Sequence, residues 1–326
     1  MTIDIIVIGL NEGLNLKKCF SSINKAIENT PKKFDVNFEL IYVDSGSQDG
    51  SVEIAKCYAD KVILLTSEPS AAAARMAGLH NGKGEYCLFL DGDMELDNNW
   101  FIISIPIITK LNDNIAGIIG IRDDISSDNK IRRNVYGVKK TRIAPHFGGA
   151  VMLKRTDIER AGGYNPLLKS FEEPDFYARL LSIGKKVLEL NEKFILHKIK
   201  SKKHKLICNI VKDPSFATVF KLSIRKKYLL GFVKVFRYTI IALLIHIASL
   251  IALFYHGLPA FIIFQIFLIM LLLLVRRPKE YVLSILRAAN IIYNIKTKPF
   301  QNYSLDYQIV HQKDKFGSSQ NPIHEM

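Results

Sequence analysis

Two carboxylates that close an apolar strand are the residues of this 326-residue chain best placed to do chemistry. They stand in Leu88-Phe89-Leu90-Asp91-Gly92-Asp93, a run that stops abruptly at two acids separated by one glycine. Acids at a strand's carboxyl end face the crevice where ligands of open α/β sheets bind. Two hard oxygen donors there can hold Mg²⁺ or Mn²⁺ against a diphosphate. Gly92 lets the backbone come close. Upstream, Ile41-Tyr42-Val43-Asp44 ends a second strand with an acid and runs on into Ser45–Gly50, so Asp44 can accept from a base or a ribose, while Ser47 and Asp49 read as helix caps. Ser70–Arg75 sets one cation, Arg75, among small side chains at a helix start, where a nucleotide can approach. Last, Glu172, Glu173 and Asp175 crowd the first turn of another helix, with Pro174 suited to that turn. Such acids can simply favour the helix dipole. Alternatively, like-charge neighbours raise the pKa of one of them until it can take a hydroxyl proton.

These side chains need a frame. Over residues 1–195 short Ile/Val/Leu runs alternate with helical patterns: Ile3–Gly9 then Asn15–Glu28, Glu39–Val43 then Ser51–Tyr58, Val62–Leu65 then Ala71–Asn81, and Tyr86–Leu90. Unalternated runs of this kind predict parallel strands covered on both faces, hence a doubly wound sheet. The polar stretch Arg122–Pro145, with Asp123, Asp124, Asp128, Arg132 and Arg133, reads as a long loop or lid.

Charge and hydrophobicity are unevenly distributed. The net charge is +14, and Lys193–Arg237 holds thirteen Lys/Arg against one acid, Asp213. Because this block runs into an apolar stretch, anionic lipid head groups fit it better than nucleic acid. No Lys, Arg, Asp or Glu occurs across the 38 residues between Arg237 and Arg276. A hydrocarbon core of about 30 Å needs roughly 20 helical residues, so the gap predicts two transmembrane helices turning at His256–Pro259. Lys234 and Arg237 flank one outer end and Arg276, Arg277 and Lys279 the other, which predicts a multi-pass inner-membrane protein with its front half in the cytosol. A hairpin buried in protein is the other reading of the same gap. Cys19, Cys57, Cys87 and Cys208 show no zinc or disulfide spacing, and the N-terminus has no basic signal-peptide region. The expected division is a catalytic domain over 1–200, basic membrane-surface helices over 201–237, two spans over 238–275, and a cytoplasmic amphipathic helix with a loosely structured tail over 276–326.

Taken in order, strand–Asn11-Glu12, Val43-Asp44-Ser45-Gly46-Ser47, Ala73-Ala74-Arg75, Leu90-Asp91-Gly92-Asp93, Gly148-Gly149 through Arg155, Gly162-Gly163-Tyr164 and Glu172-Glu173 with Asp175-Phe176 resemble the family 2 glycosyltransferases over about residues 3–197. The resemblance implies a GT-A nucleotide-diphospho-sugar transferase fold, α/β with a mostly parallel sheet, here followed by a transmembrane helical hairpin. It implies a nucleoside-diphosphate-sugar donor, Mg²⁺ or Mn²⁺, and a single inverting displacement. Carried over by position, Asn11, Glu12, Asp44, Arg75 and Asp91 bind the nucleotide-sugar, Asp91 and Asp93 form the metal-binding DXD motif, and His197 joins the diphosphate and metal. Glu173 matches the catalytic base, with Glu172 or Asp175 as alternatives. The hairpin suggests a lipid-linked or membrane-associated glycan acceptor in surface polysaccharide biosynthesis. A haloacid-dehalogenase-like phosphatase, whose Asp motif follows the first strand, and a non-catalytic membrane scaffold are the competing readings.

Overall fold

The computed structural model describes residues 1–126, 128–199, 212–274, 280–294, 296 and 305–313. The chain divides into two units, Met1–Ser201 with Asn302–Met326, and Lys202–Gln301.

The first unit is built from β1 (Thr2–Gly9), α1 (Gly13–Glu28), β2 (Asn37–Asp44), α2 (Ser51–Tyr58), β3 (Lys61–Leu65), α3 (Ala71–Asn81), β4 (Tyr86–Asp91), β5 (Met94–Leu96), α4 (Trp100–Ile108), β6 (Ile115–Ile125), β7 (Ile131–Arg132), β8 (Arg142–Ile143), β9 (Val151–Lys154), α5 (Arg155–Arg160), α6 (Glu172–Ser182), β10 (Lys186–Lys198) and, from the far end of the chain, β11 (Tyr307–Gln312). The strands form one sheet in the order β11-β3-β2-β1-β4-β9-β6-β10-β5, with β7 on β6 and β8 on β10. Strands β3, β2, β1 and β4 are parallel. The short β9 runs against both β4 and β6, and β6 and β10 are parallel, so β6 and β10 point the same way as β1. All their carboxyl ends meet one rim.

Burial explains the strand pattern. Ile3, Ile5, Ile6 and Val7 on β1 and Leu88, Phe89 and Leu90 on β4 are fully enclosed, as central strands covered on both faces must be. Each such side chain contributes about 1.5–3 kcal/mol. Helix α1 buries Leu16, Cys19, Phe20, Ile23 and Ala26, one face at three- and four-residue spacing. Helix α3 sits close on the sheet: a Cβ on Gly78 would lie 2.4 Å from Ile6 Cγ2. That close approach carries Arg75, one turn earlier, down onto the sheet.

Two expectations about the first unit are corrected. Arg122–Ile125 is not loop but the end of β6, in register with Ile195–Lys198 of β10, which sets Asp124 opposite His197; β7 and β8 also pair with the sheet. The tail is not wholly loose either. Tyr307–Gln312 is an edge strand antiparallel to β3, and Lys313 Nζ donates to Tyr58 O at 3.1 Å.

The second unit holds α7 (Ser215–Arg225), α8 (Leu229–Val235), α9 (Arg237–Leu274) and α10 (Glu280–Tyr293). Among the described residues α9 is the one helical segment long and apolar enough to cross a membrane. Helix α9 is broken at Gly257, inside the turn expected at His256–Pro259, where φ of 76° is left-handed, so the segment is two helical limbs. Gln265 Nε2 donates to Ser249 Oγ at 2.6 Å across 16 residues. A straight helix would hold those groups about 24 Å apart, so the two limbs fold back on each other, and Ala242, Leu268 and Leu272 pack between them. Tyr281 Oη, at the start of α10, donates to Gln265 Oε1 at 2.9 Å. Helix α10 thus packs along the hairpin rather than lying by itself on a surface.

Candidate active site

Helix α3 begins at Ser70, whose Oγ accepts from Ala73 N at 3.0 Å and donates to Pro166 O at 3.1 Å. That cap fixes the turn carrying Arg75. Ser70→Ala is expected to cost about 1 kcal/mol, read as a lower denaturant midpoint with unchanged slope.

Arg75 is the hub of the carboxyl rim, with 1% of its surface exposed. Its Nη2 lies 2.8 Å from Asp91 Oδ1 and 3.5 Å from Glu173 Oε1, its Nη1 lies 3.3 Å from Glu172 Oε1, and the guanidinium covers the Tyr164 ring at 5.2 Å. Burial works against the charge, but Asp91 and Glu173 more than offset it and hold Arg75 protonated.

Helix α6 presents its first-turn acids to this cation. Burial above all, opposed by Arg75 and reinforced by Glu172 and Asp91, pushes Glu173 up to about 8. A carboxyl group so placed is a base that works near neutrality. Asp175 has another task. Its Oδ2 accepts from Arg179 Nη2 at 2.7 Å and Nε at 3.0 Å, and Arg179 reaches on to Ala161 O, so this acid braces α6. The structure joins Glu172 and Glu173 to Asp91 through Arg75, and turns Asp175 elsewhere.

Asp91 is confined on two sides. Its Oδ1 meets Arg75, and a Cβ on Gly149 would stand 2.0 Å from its Oδ2, so only glycine lets that backbone pass. Asp93 follows on the far side of Gly92. Its carbonyl accepts from Lys198 N at 3.0 Å, and its Oδ1 lies 3.7 Å from His197 Nε2. The other ring nitrogen, Nδ1, lies 3.2 Å from Asp124 Oδ1 and 2.7 Å from Arg122 Nη2. Burial and then Arg122 lower the pKa of His197, which keeps the imidazole neutral. Among the described residues no three His, Cys, Asp or Glu side chains form a metal-binding group. Asp93 and His197 nonetheless offer one hard oxygen and one imidazole, donor types that suit Mn²⁺ better than Ca²⁺. They fit an ion that takes its remaining ligands from a diphosphate. Asp91, also expected among the metal ligands, has its Oδ1 on Arg75.

The loops after β1 and β2 are stitched together. Asn11 adopts a left-handed φ of 54°, its N–H donates to Ser47 Oγ at 2.8 Å, and its Oδ1 accepts from Gln48 N at 2.8 Å. The amides of Glu12 and Gly13 donate to Ser51 Oγ at 3.2 and 3.1 Å. Asp44 is fully buried: its Oδ2 accepts from Tyr42 Oη at 2.8 Å, and its Oδ1 from Gly46 N at 2.9 Å and Ser47 N at 2.6 Å. The acid expected to read a base therefore has both oxygens engaged in shaping its own loop. Tyr164, Gly149, Arg122 and Asp124 have no assigned role in the sequence reading. Gly148-Gly149 and the strand-ending Asp123-Asp124 were the available signals.

With this arrangement in view, comparison with known proteins is decisive: residues 4–173 match Glycosyl transferase family 2. The chain belongs to that family. Among relatives, the Glycosyltransferase AglE of Haloferax volcanii is 30% identical over 120 residues, covering 35% of this chain and 38% of AglE. The Dolichol-phosphate mannosyltransferase of Saccharomyces cerevisiae is 31% identical over 96 residues, covering 28% of this chain and 35% of the yeast enzyme. The matches thus span little more than a third of these relatives. Solved structures extend the fold further. The mannosyltransferase PcManGT of Pyrobaculum calidifontis, in complex with GDP-Man and Mn²⁺, superposes with a TM-score of 0.56 at 14% identity, over 91% of this chain and 87% of that one. Residues 1–349 of S. aureus TarS, in complex with UDP-GlcNAc, give 0.57 at 15% identity, over 99% and 100%. The family 2 chain therefore has the GT-A fold, with its acidic cluster at the carboxyl rim of the sheet.

Proposed function

We propose that this family 2 chain transfers a sugar from a nucleoside-diphosphate-sugar to an acceptor hydroxyl, with inversion at the anomeric carbon. The observation that carries the reading is Glu173, a carboxyl group pushed up to about 8 and held beside Asp91 by a shared, buried arginine. Glu173 takes the proton as the acceptor oxygen forms its bond to the sugar, and the bond to the diphosphate breaks. Glu172 keeps Glu173 basic, and Arg75 fixes where its carboxylate stands. The stitched loops of Asn11, Glu12 and Asp44 supply the nucleotide cradle, with Asp44 contributing through loop shape. A divalent cation, Mg²⁺ or Mn²⁺, held by Asp93 and His197 would neutralise the charge that develops on the departing diphosphate. The neighbours solved with GDP-Man and Mn²⁺ and with UDP-GlcNAc support donors of this class.

The acceptor on this reading is a lipid-linked or membrane-associated glycan, as for surface polysaccharide. Support comes from the apolar α9 hairpin, from the basic Lys193–Arg237 block that suits anionic lipid head groups, and from relatives named for dolichol-phosphate. Lys/Arg on both flanks of α9 favour the catalytic unit on the cytoplasmic side. The test is a melting series of the full chain with UDP- and GDP-sugars, with and without Mn²⁺. The right donor at 100 times its Kd stabilises by about 2.7 kcal/mol, and only when Mn²⁺ is present. No shift with any nucleotide-sugar would sink the proposal.

A further inference from the structure

The geometry points to Asp124 and Arg122 as positioning residues that decide which nitrogen of His197 is open to a divalent cation. The inference rests on the metal reading above. It starts from strand register: Asp124 on β6 is paired directly with His197 on β10, so a buried carboxylate and an imidazole stand side by side at the rim. Nothing in the local pattern of Arg122–Pro145 requires a buried acid there.

His197 Nδ1 has two competing neighbours, Arg122 Nη2 at 2.7 Å and Asp124 Oδ1 at 3.2 Å. One ring nitrogen cannot accept from a guanidinium and donate to a carboxylate at the same time. Two hydrogen-bonded states follow. In the first, Nδ1 accepts from Arg122 and the proton sits on Nε2, turned toward Asp93 Oδ1 at 3.7 Å. In the second, Nδ1 carries the proton and donates to Asp124, which leaves the Nε2 lone pair facing Asp93. Only the second state can ligate a cation, and a carboxylate behind the imidazole is the usual way to hold it. The shorter Arg122 contact selects the first state in the metal-free chain. Passing to the second releases a proton to water from Nε2 and takes one up at Nδ1, so the net charge is unchanged. Arg122 keeps a hold on Asp124 through Nε at 2.7 Å, which leaves the carboxylate anionic and in place when Nη2 gives up the ring.

The experiment uses the full chain labelled with ¹⁵N-histidine, His197 being assigned through His197→Gln, and pairs it with Mn²⁺ titrations followed by electron paramagnetic resonance in the presence of UDP or of GDP. Without metal, the wild type is expected to show the Nε2–H tautomer and Arg122→Leu the Nδ1–H tautomer. Asp124→Asn is expected to weaken Mn²⁺ binding about 10- to 100-fold, whereas Arg122→Leu tightens it. A purely structural role would move both variants the same way, and that result, or an Nδ1–H wild type, overturns the assignment. Should Asp124→Asn not fold, the tautomer of Arg122→Leu decides alone. A wild type that binds no Mn²⁺ with either nucleotide overturns the metal reading itself and this assignment with it.

Discussion

Replacing Arg75 with leucine is expected to destabilise the catalytic unit by about 3–5 kcal/mol, because breaking a buried charge cluster leaves its remaining members uncompensated. Three carboxylates, those of Asp91, Glu172 and Glu173, share this one guanidinium at 2.8–3.5 Å. In melting temperature this is a fall of about 6–20 °C, at 2–4 °C per kcal/mol for a unit of this size. Arg75→Lys should recover little. Arg75 uses Nη1 for Glu172 and Nη2 for Asp91 and Glu173, and a single ammonium cannot reproduce that fork. Calorimetry reads the effect directly, and a leucine variant that melts with the wild type would show that the cluster is held by something other than its arginine.

Glu173→Gln is expected to lower kcat by about 10²–10⁴, the usual range for loss of a general base, while donor binding is kept. The wild-type profile should carry its own signature. Glu173 serves as base only when deprotonated, so kcat/KM of the free enzyme should rise with pH up to about 8. Glu172→Gln removes one of the charges that push Glu173 up, and should shift that limb to lower pH. Stability runs the opposite way. The folded chain holds a proton on Glu173 that the unfolded chain releases near 4.5, so this group's contribution falls as pH rises from about 4.5 to about 8. In Glu173→Gln that slope is absent. Equal turnover in wild type and Glu173→Gln would move the base to another residue.

Local pattern carried the parallel half of the sheet, and pairing between distant segments carried what it missed. Strands β1 and β4 read clearly because apolar runs that do not alternate point to burial on both faces. The acids Asp91 and Glu173 read clearly because a carboxylate ending such a run, or crowding a helix start, is conspicuous without coordinates. Asp124 did not. It looks like loop polarity until β6 is set beside β10, 73 residues away, and a histidine is found opposite. The partners of Asp44 and Asp175 were hidden for a related reason: Asp44 accepts from Tyr42 two residues before and Asp175 from Arg179 four residues after, and only side-chain direction reveals it. Strand β11 was obscured because an edge strand covered on one side, Tyr-Gln-Ile-Val-His-Gln, mixes polar and apolar residues too freely to stand out.

That late strand turns the second unit from an appendage into an insertion. The chain leaves the sheet at the end of β10 and re-enters at the start of β11, seven strand positions apart, or roughly 34 Å at about 4.8 Å per strand. Because β10 runs with β1 and β11 runs against β3, both junctions lie at the same rim as Asp91 and Glu173. A fragment cut after Ser201 would lose its own border and bare the hydrogen-bonding groups of β3 to other molecules. Excising Lys202–Gln301 instead calls for a replacement bridge of at least about 10 extended residues.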